Sequence, residues 1–197
     1  MNILAQSLSL IASIFMLAGY LVYCRAIARR QVRANATSWG IWALTSIPVI
    51  FLYQDLSEDW VKVLPYYVCA IGAVITFLEA AKLERLRMPD RTDLLVIMLD
   101  ASVLLYFFLS GDKYSTSIIL ELDIWITFIP IFRSTWNDPN EEIPRAWGVW
   151  TISYALMVMV VALRWDKWWD LILPMNYVLQ HGTVWLIARS RRVASNN

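Results

Sequence analysis

Seven apolar stretches, each close to the ~20 residues that cross a hydrocarbon core, decide what this chain can fold into. They cover residues 3–24, 37–53, 60–82, 93–109, 114–133, 144–163 and 169–189. Of the 197 residues, 59% are hydrophobic and only 17% are charged. Soluble domains are roughly 45–50% apolar and about 25% charged. An excess gathered into runs this long exceeds what one small core buries, so lipid has to receive it. The runs do not alternate in polarity, which argues against barrel strands. The expected fold class is therefore an all-α membrane protein with seven transmembrane helices.

Charge sets the expected orientation. Arg25, Arg29, Arg30 and Arg33 follow the first run, and Lys82, Arg85, Arg87 and Arg91 follow the third. Arg133 and Arg145 follow the fifth; Arg189, Arg191 and Arg192 follow the seventh. Only Lys62, Lys113, Arg164 and Lys167 fall on the other side. The positive-inside rule then puts the N-terminus outside and the C-terminus in the cytoplasm of an integral membrane protein. The first run has no basic residue before it, the reverse of a cleavable signal. Tryptophans bracket the spans: Trp60, Trp165, Trp168 and Trp169 at the expected outer interface, Trp39, Trp136 and Trp147 at the inner one.

Several chemistries lack their residues. Two cysteines and one histidine support neither a disulfide framework nor a metal cluster. There is no phosphate-cradling glycine loop and no nucleophile elbow. Nothing points to an enzyme, a catalytic residue, a cofactor or a nucleic-acid partner. Membrane lipid is the one partner that composition demands, and a homo-oligomer stays open.

The chain also repeats itself. At an offset of 108 residues, Arg25 aligns with Arg133, Trp39 with Trp147, Gly40 with Gly148, Trp42 with Trp150 and Trp60 with Trp168. One residue later in register, Leu64-Pro65 aligns with Leu173-Pro174. Runs 1–3 thus correspond to runs 5–7, and run 4 is left over. An odd linker lets the second copy enter the membrane in the same direction as the first, which is a parallel repeat. The expected organisation is a first triple-helix bundle over 1–88, a linker helix over 89–112 and a second triple-helix bundle over 113–197.

This 3+1+3 pattern resembles the SWEET/PQ-loop superfamily of transporters. The stretch "GYLVYCRAIARR…ATSW" from Gly19 is similar to the first family signature, and "FIPIFRSTWNDPNEE" from Phe128 to the second. Val22-Tyr23 and Pro130-Ile131 stand where the family has Pro-Gln, and the pattern is nearer to uncharacterised bacterial members than to eukaryotic sugar carriers. The resemblance implies a carrier for a small polar solute, a sugar among the candidates, working by alternating access. It also implies that Asn176 binds substrate, with Tyr67 as its approximate counterpart, and that Pro130 is a hinge.

The residues themselves add to this. A pathway on the repeat axis would be lined by repeat-related side chains, which names Trp42 with Trp150 and Ser46 with Tyr154. Aromatic faces with a few hydroxyls suit a solute with both apolar and polar surface; helix packing through Gly40 and Gly148 is the competing account. Asp100 and Asp123 fall about 15 Å and about 14 Å below the outer helix ends, near the midplane. An intramembrane Asp costs roughly 2.5–3.5 kcal/mol to insert and marks a functional site by default. Asp123, in a repeat helix, is the candidate for substrate contact or proton coupling. Asp100, in the linker, is expected to be structural. His181 is expected to bond a neighbouring helix. The alternative to a carrier is a non-transporting interaction or sensor protein that keeps this fold.

Overall fold

The computed structural model describes residues 2–195, with side chains through 190; the side chains of Arg191 and Arg192 lie outside the described residues. Seven α-helices make up the fold: α1 (Ile3–Ala28), α2 (Ala36–Ser57), α3 (Trp60–Lys82), α4 (Arg91–Ser110), α5 (Lys113–Asn137), α6 (Pro144–Leu163) and α7 (Ile172–Ser195). Their starts are written locally. Asn2, Asn35, Asp59, Asp90 and Asp112 each accept a hydrogen bond from a backbone N–H of the first turn, and Pro144 opens α6. These groups satisfy donors that a helix start leaves unpaired. At the far ends, Arg30 and Glu84 turn the chain through left-handed backbone, with φ of 58° and 54°. The N–H of Gln31 then reaches the Ala26 carbonyl, and that of Arg85 the Ala80 carbonyl. This shared ending is a Schellman turn. It delivers two loops side by side, where β1 (Ala34–Asn35) pairs in parallel with β2 (Leu86–Arg87), a short bridge that the apolar runs did not foretell.

Among the described residues, six helices, α1 to α6, are long and apolar enough to cross a membrane. The protein is membrane-embedded, and its surface agrees. Along α4, Leu94, Leu95, Met98, Leu99, Leu105, Phe108 and Leu109 are exposed, whereas Asp93, Val96 and Asp100 face inward. Apolar groups outside and carboxylates inside is the arrangement that lipid imposes. The seventh helix is present but less apolar, carrying Asn176, Gln180 and His181. It begins three residues later than expected because Trp168–Leu171 forms a 3₁₀ turn first.

The helices close into a ring. α3 lies between α1 and α2, and α7 lies between α5 and α6. α1 packs on α6, and α2 on α5. The order around the ring is α1, α3, α2, α5, α7, α6. The fourth helix stands outside it, against α5 and α2.

Candidate functional site

All six ring helices contribute to one central cavity. From α2 come Trp39, Trp42, Thr45, Ser46 and Val49, a stripe at three- and four-residue spacing, which is what places side chains on one helix face. Trp147, Trp150 and Tyr154 form the matching stripe on α6. The fifth helix adds Asp123, Thr127 and Phe128, α7 adds Tyr177 and His181, α1 adds Tyr20 and α3 adds Cys69.

The rings meet in two sets with nearly the same geometry. Trp39 and Trp42 have centroids 5.3 Å apart, and Trp147 and Trp150 have centroids 5.1 Å apart. Trp39–Trp150 spans 6.0 Å and Trp42–Trp147 spans 6.3 Å. Tyr20 lies 6.3 Å from Trp39 and 4.9 Å from Trp150. Phe128 lies 6.4 Å from Trp147 and 4.5 Å from Trp42. Such separations are those of rings in contact, so a solute has to part them. Room for this packing comes from glycine. A Cβ on Gly19 would overlap the Trp150 indole, and one on Gly72 would overlap the Tyr20 ring.

Buried polar contacts lie toward both ends of the bundle. On the side of the arginine-rich loops, Tyr23 donates to Glu142 Oε1 at 2.9 Å, and Trp147 Nε1 donates to Glu142 Oε2 at 2.8 Å. Trp39 Nε1 donates to the Tyr23 hydroxyl at 3.2 Å. At the opposite side, Lys62 Nζ lies 2.5 Å from Asp170 Oδ2, and Tyr53 donates to the Asp170 carbonyl at 2.8 Å. Arg164 pairs with Asp59 nearby.

Of the residues expected to bind solute, Trp42, Trp150, Ser46, Tyr154 and Asp123 all line the cavity. Asn176 and Tyr67 do not. Asn176 Nδ2 donates to Glu121 Oε2 at 2.6 Å and its oxygen accepts from Trp125 Nε1 at 3.1 Å, both on α5. Tyr67 donates to Gln54 on α2. One helical residue is a rotation of about 100°; Tyr66 and Tyr177, their immediate neighbours, are the ones turned toward the middle of the bundle, with centroids 6.1 Å apart. Trp39 and Trp147 are almost wholly buried, so they belong to the core and not to an interfacial belt. By contrast, Trp60, Trp136, Trp165 and Trp168 are exposed. Pro130 is buried within α5, where it leaves the Ile126 carbonyl without its helical partner.

One expectation for a polar residue is overturned, that for His181. Asp100 meets the neighbouring helix α5, its carboxyl within hydrogen-bonding reach of that of Asp123. Both are buried, at 5% and 3% exposure, and Oδ1 of each has no hydrogen-bond partner among the described residues. His181 does not reach another helix; its Nδ1 lies 2.9 Å from the Tyr177 carbonyl one turn back. Its ring instead packs among Phe128, Trp147, Trp150, Tyr154 and Tyr177.

Family models, curated proteins and solved structures contain no match to the chain. Its chemistry therefore has to be read from its own residues. The Lys62–Asp170 pair, the Tyr23–Glu142 bond and the Asp100–Asp123 contact were not foreseen. Only the first left a signal in the sequence: Lys62 and Asp170 are opposite charges at the repeat offset of 108.

Proposed function

We propose that the protein is a carrier that moves a small polar solute across a membrane by alternating access between two three-helix halves, α1–α3 and α5–α7, with α4 as linker. The observation that carries this reading is the cavity wall. Exchanging Trp39 with Trp147, Trp42 with Trp150 and Tyr20 with Phe128 turns each ring contact of one set into a contact of the other, at separations within 0.4 Å. The ring order supports it too, because exchanging α1 with α5, α2 with α6 and α3 with α7 leaves the order unchanged. A twofold axis would bring residues at the offset of 108 together, and the pairing of Lys62 with Asp170 is consistent with that. These relations support a parallel repeat of SWEET/PQ-loop type. A central site between two repeats is the geometry that rocking halves would open in turn.

In this reading the arginine-rich loops are cytoplasmic, the N-terminus is outside, and the membrane is a bacterial inner membrane. Pro130 is the hinge of α5. The Asp100–Asp123 pair is the candidate proton-coupling group, since a hydrogen bond between two carboxyl groups needs a proton on one of them.

Close ring contact across the cavity favours a second reading, a sensor or interaction protein whose axis never opens. Proteoliposome uptake over a panel of sugars, amines and other small metabolites, with and without a proton gradient, separates the two. Saturable uptake of any member supports the carrier. No uptake by protein shown to be folded and inserted rejects it in favour of the sealed bundle.

A further inference from the structure

We infer that the solute this cavity accepts is an organic monocation of the alkylammonium kind, not a sugar and not an anion. The inference rests on the cavity being the solute site. It follows from which hydrogen-bonding groups the wall has already used and which it has left.

The N–H donors are spent. All four central indoles give their N–H to the protein itself: Trp39 to the Tyr23 hydroxyl, Trp42 to Thr127 Oγ1 at 3.0 Å, Trp147 to Glu142, and Trp150 to the Met16 carbonyl at 3.3 Å. The Thr127 hydroxyl donates to the Ile124 carbonyl at 2.9 Å. Tyr20 and Tyr154 both share their hydroxyls with the Cys69 thiol. A carbonyl only accepts, so His181 commits its Nδ1–H to Tyr177. No Lys or Arg lines the cavity. An anion would find neither positive charge nor a free N–H, and burying it unpaired is prohibitive. A sugar would find a free hydroxyl in Ser46 but would bring no counter-charge to Asp123.

Beside the Ser46 hydroxyl, which has no partner among the described residues, what remains accepts. Asp123 Oδ1 is buried, borders the cavity and has no partner among the described residues. His181 Nε2 is left as a lone-pair acceptor once Nδ1 donates. Around them stand the ring faces of four tryptophans and of Tyr154 and Tyr177. Aromatic faces attract a desolvated cation through their quadrupole, tryptophan most strongly.

Charge agrees with this inventory. Asp123 stands in the cavity wall as a buried carboxyl with no Lys or Arg beside it in the lining. The groups facing it are Asp100 on α4, Thr45 and Ser46 on α2, and His181 on α7; Glu121 on α5 itself is engaged by Asn176. None of them is a fixed cation. An isolated carboxylate inside a membrane protein calls for a counter-charge, and a solute monocation supplies it.

The test uses full-length protein in detergent, titrated with choline, tetramethylammonium and, as neutral probes, 3,3-dimethylbutan-1-ol and glucose. The alcohol has the shape of choline with carbon in place of the charged nitrogen. Quenching of tryptophan fluorescence and thermal stabilisation report binding. Expected is choline binding at least about tenfold tighter than its neutral isostere, with Asp123→Asn removing that preference. The wild-type comparison stands alone if the variant does not fold. Equal or tighter binding of the alcohol or of glucose overturns the inference, as does failure of both cations to bind folded wild-type protein. Uptake measurements keep the two readings apart. Choline that binds without crossing retains this inference and rejects the carrier. Glucose uptake without choline binding retains the carrier and rejects this inference.

Discussion

Lys62 and Asp170 form an ion pair at 2.5 Å with side chains 1% and 0% exposed, joining the first turn of α3 to the turn that precedes α7. Removing one partner strands a buried charge, which costs about 3–5 kcal/mol, whereas replacing both with apolar groups is often neutral. Lys62→Met should therefore lower the unfolding midpoint in detergent sharply. Lys62→Met with Asp170→Leu should recover most of the loss. A double variant as unstable as the single one would mean that the pair contributes more than mutual neutralisation.

Two glycines should differ in their tolerance of a methyl group. At Gly19 the added carbon overlaps Trp150, but at Gly182 its nearest neighbour is Thr151 Cγ2 at 3.6 Å. Overpacking costs about 1–3 kcal/mol, so Gly19→Ala should destabilise by that order and shift the tryptophan emission. Gly182→Ala should leave both nearly unchanged. Thermal unfolding and emission spectra of the two variants check this.

Asp90 predicts a pH effect with a definite sign. The backbone N–H of Asp93 chiefly, with that of Thr92 and with Arg133, holds its carboxyl below the usual value of 3.8. Because the folded value is the lower one, the stabilisation is complete above 3.8 and is lost as the pH falls through the folded value. Asp90→Ala should melt below wild type at neutral pH, and the gap should narrow at about pH 3. A gap independent of pH would assign the loss to the capping bonds alone.

For the carrier reading, Asp123→Asn should abolish any pH dependence of flux while leaving the fold intact. The hydrogen bond between the two carboxyls extends this to Asp100→Asn, which should produce the same flat profile. A normal profile in Asp100→Asn would sever the linker helix from the coupling step.

Pro130→Ala returns an N–H to the Ile126 carbonyl and stiffens α5. Solute binding should persist while turnover slows. Unchanged turnover would make Pro130 a static feature of the helix.

How much of this was legible beforehand depends on what each feature needs. Helix limits need only local chemistry. The apolar runs sufficed to place α3 and α6 to the residue, and the structure shows Asp59 capping the one and Pro144 opening the other. The first helix runs on to Ala28 because Arg25 in its last turn suits the negative end of the helix. Cavity residues on α2 and α6 were readable because tryptophan and hydroxyl positions recur at one-turn spacing in both halves. Azimuth was not readable where a helix is apolar all round. The fourth helix has almost no sided pattern, so nothing in its sequence told which way Asp100 points. The same gap explains Asn176: a polar residue must face protein, but α7 has two protein-facing sides, and the side toward α5 is the one it took.

The two-residue bridge between Ala34–Asn35 and Leu86–Arg87 has a mechanical consequence. With Arg85 reaching the carbonyls of Val32 and Arg30, it stitches the loops after α1 and α3 into one piece, and α4 starts from that piece. Between α5 and α6 the chain takes a 3₁₀ turn at Pro139–Glu141 instead, and the Arg33 N–H ties the first loop to it through the Glu141 carbonyl at 3.2 Å. If α1–α3 and α5–α7 rock as proposed, the seam makes the loop ends of α1 and α3 travel together, and the Arg33–Glu141 hydrogen bond is the latch that such a motion has to release.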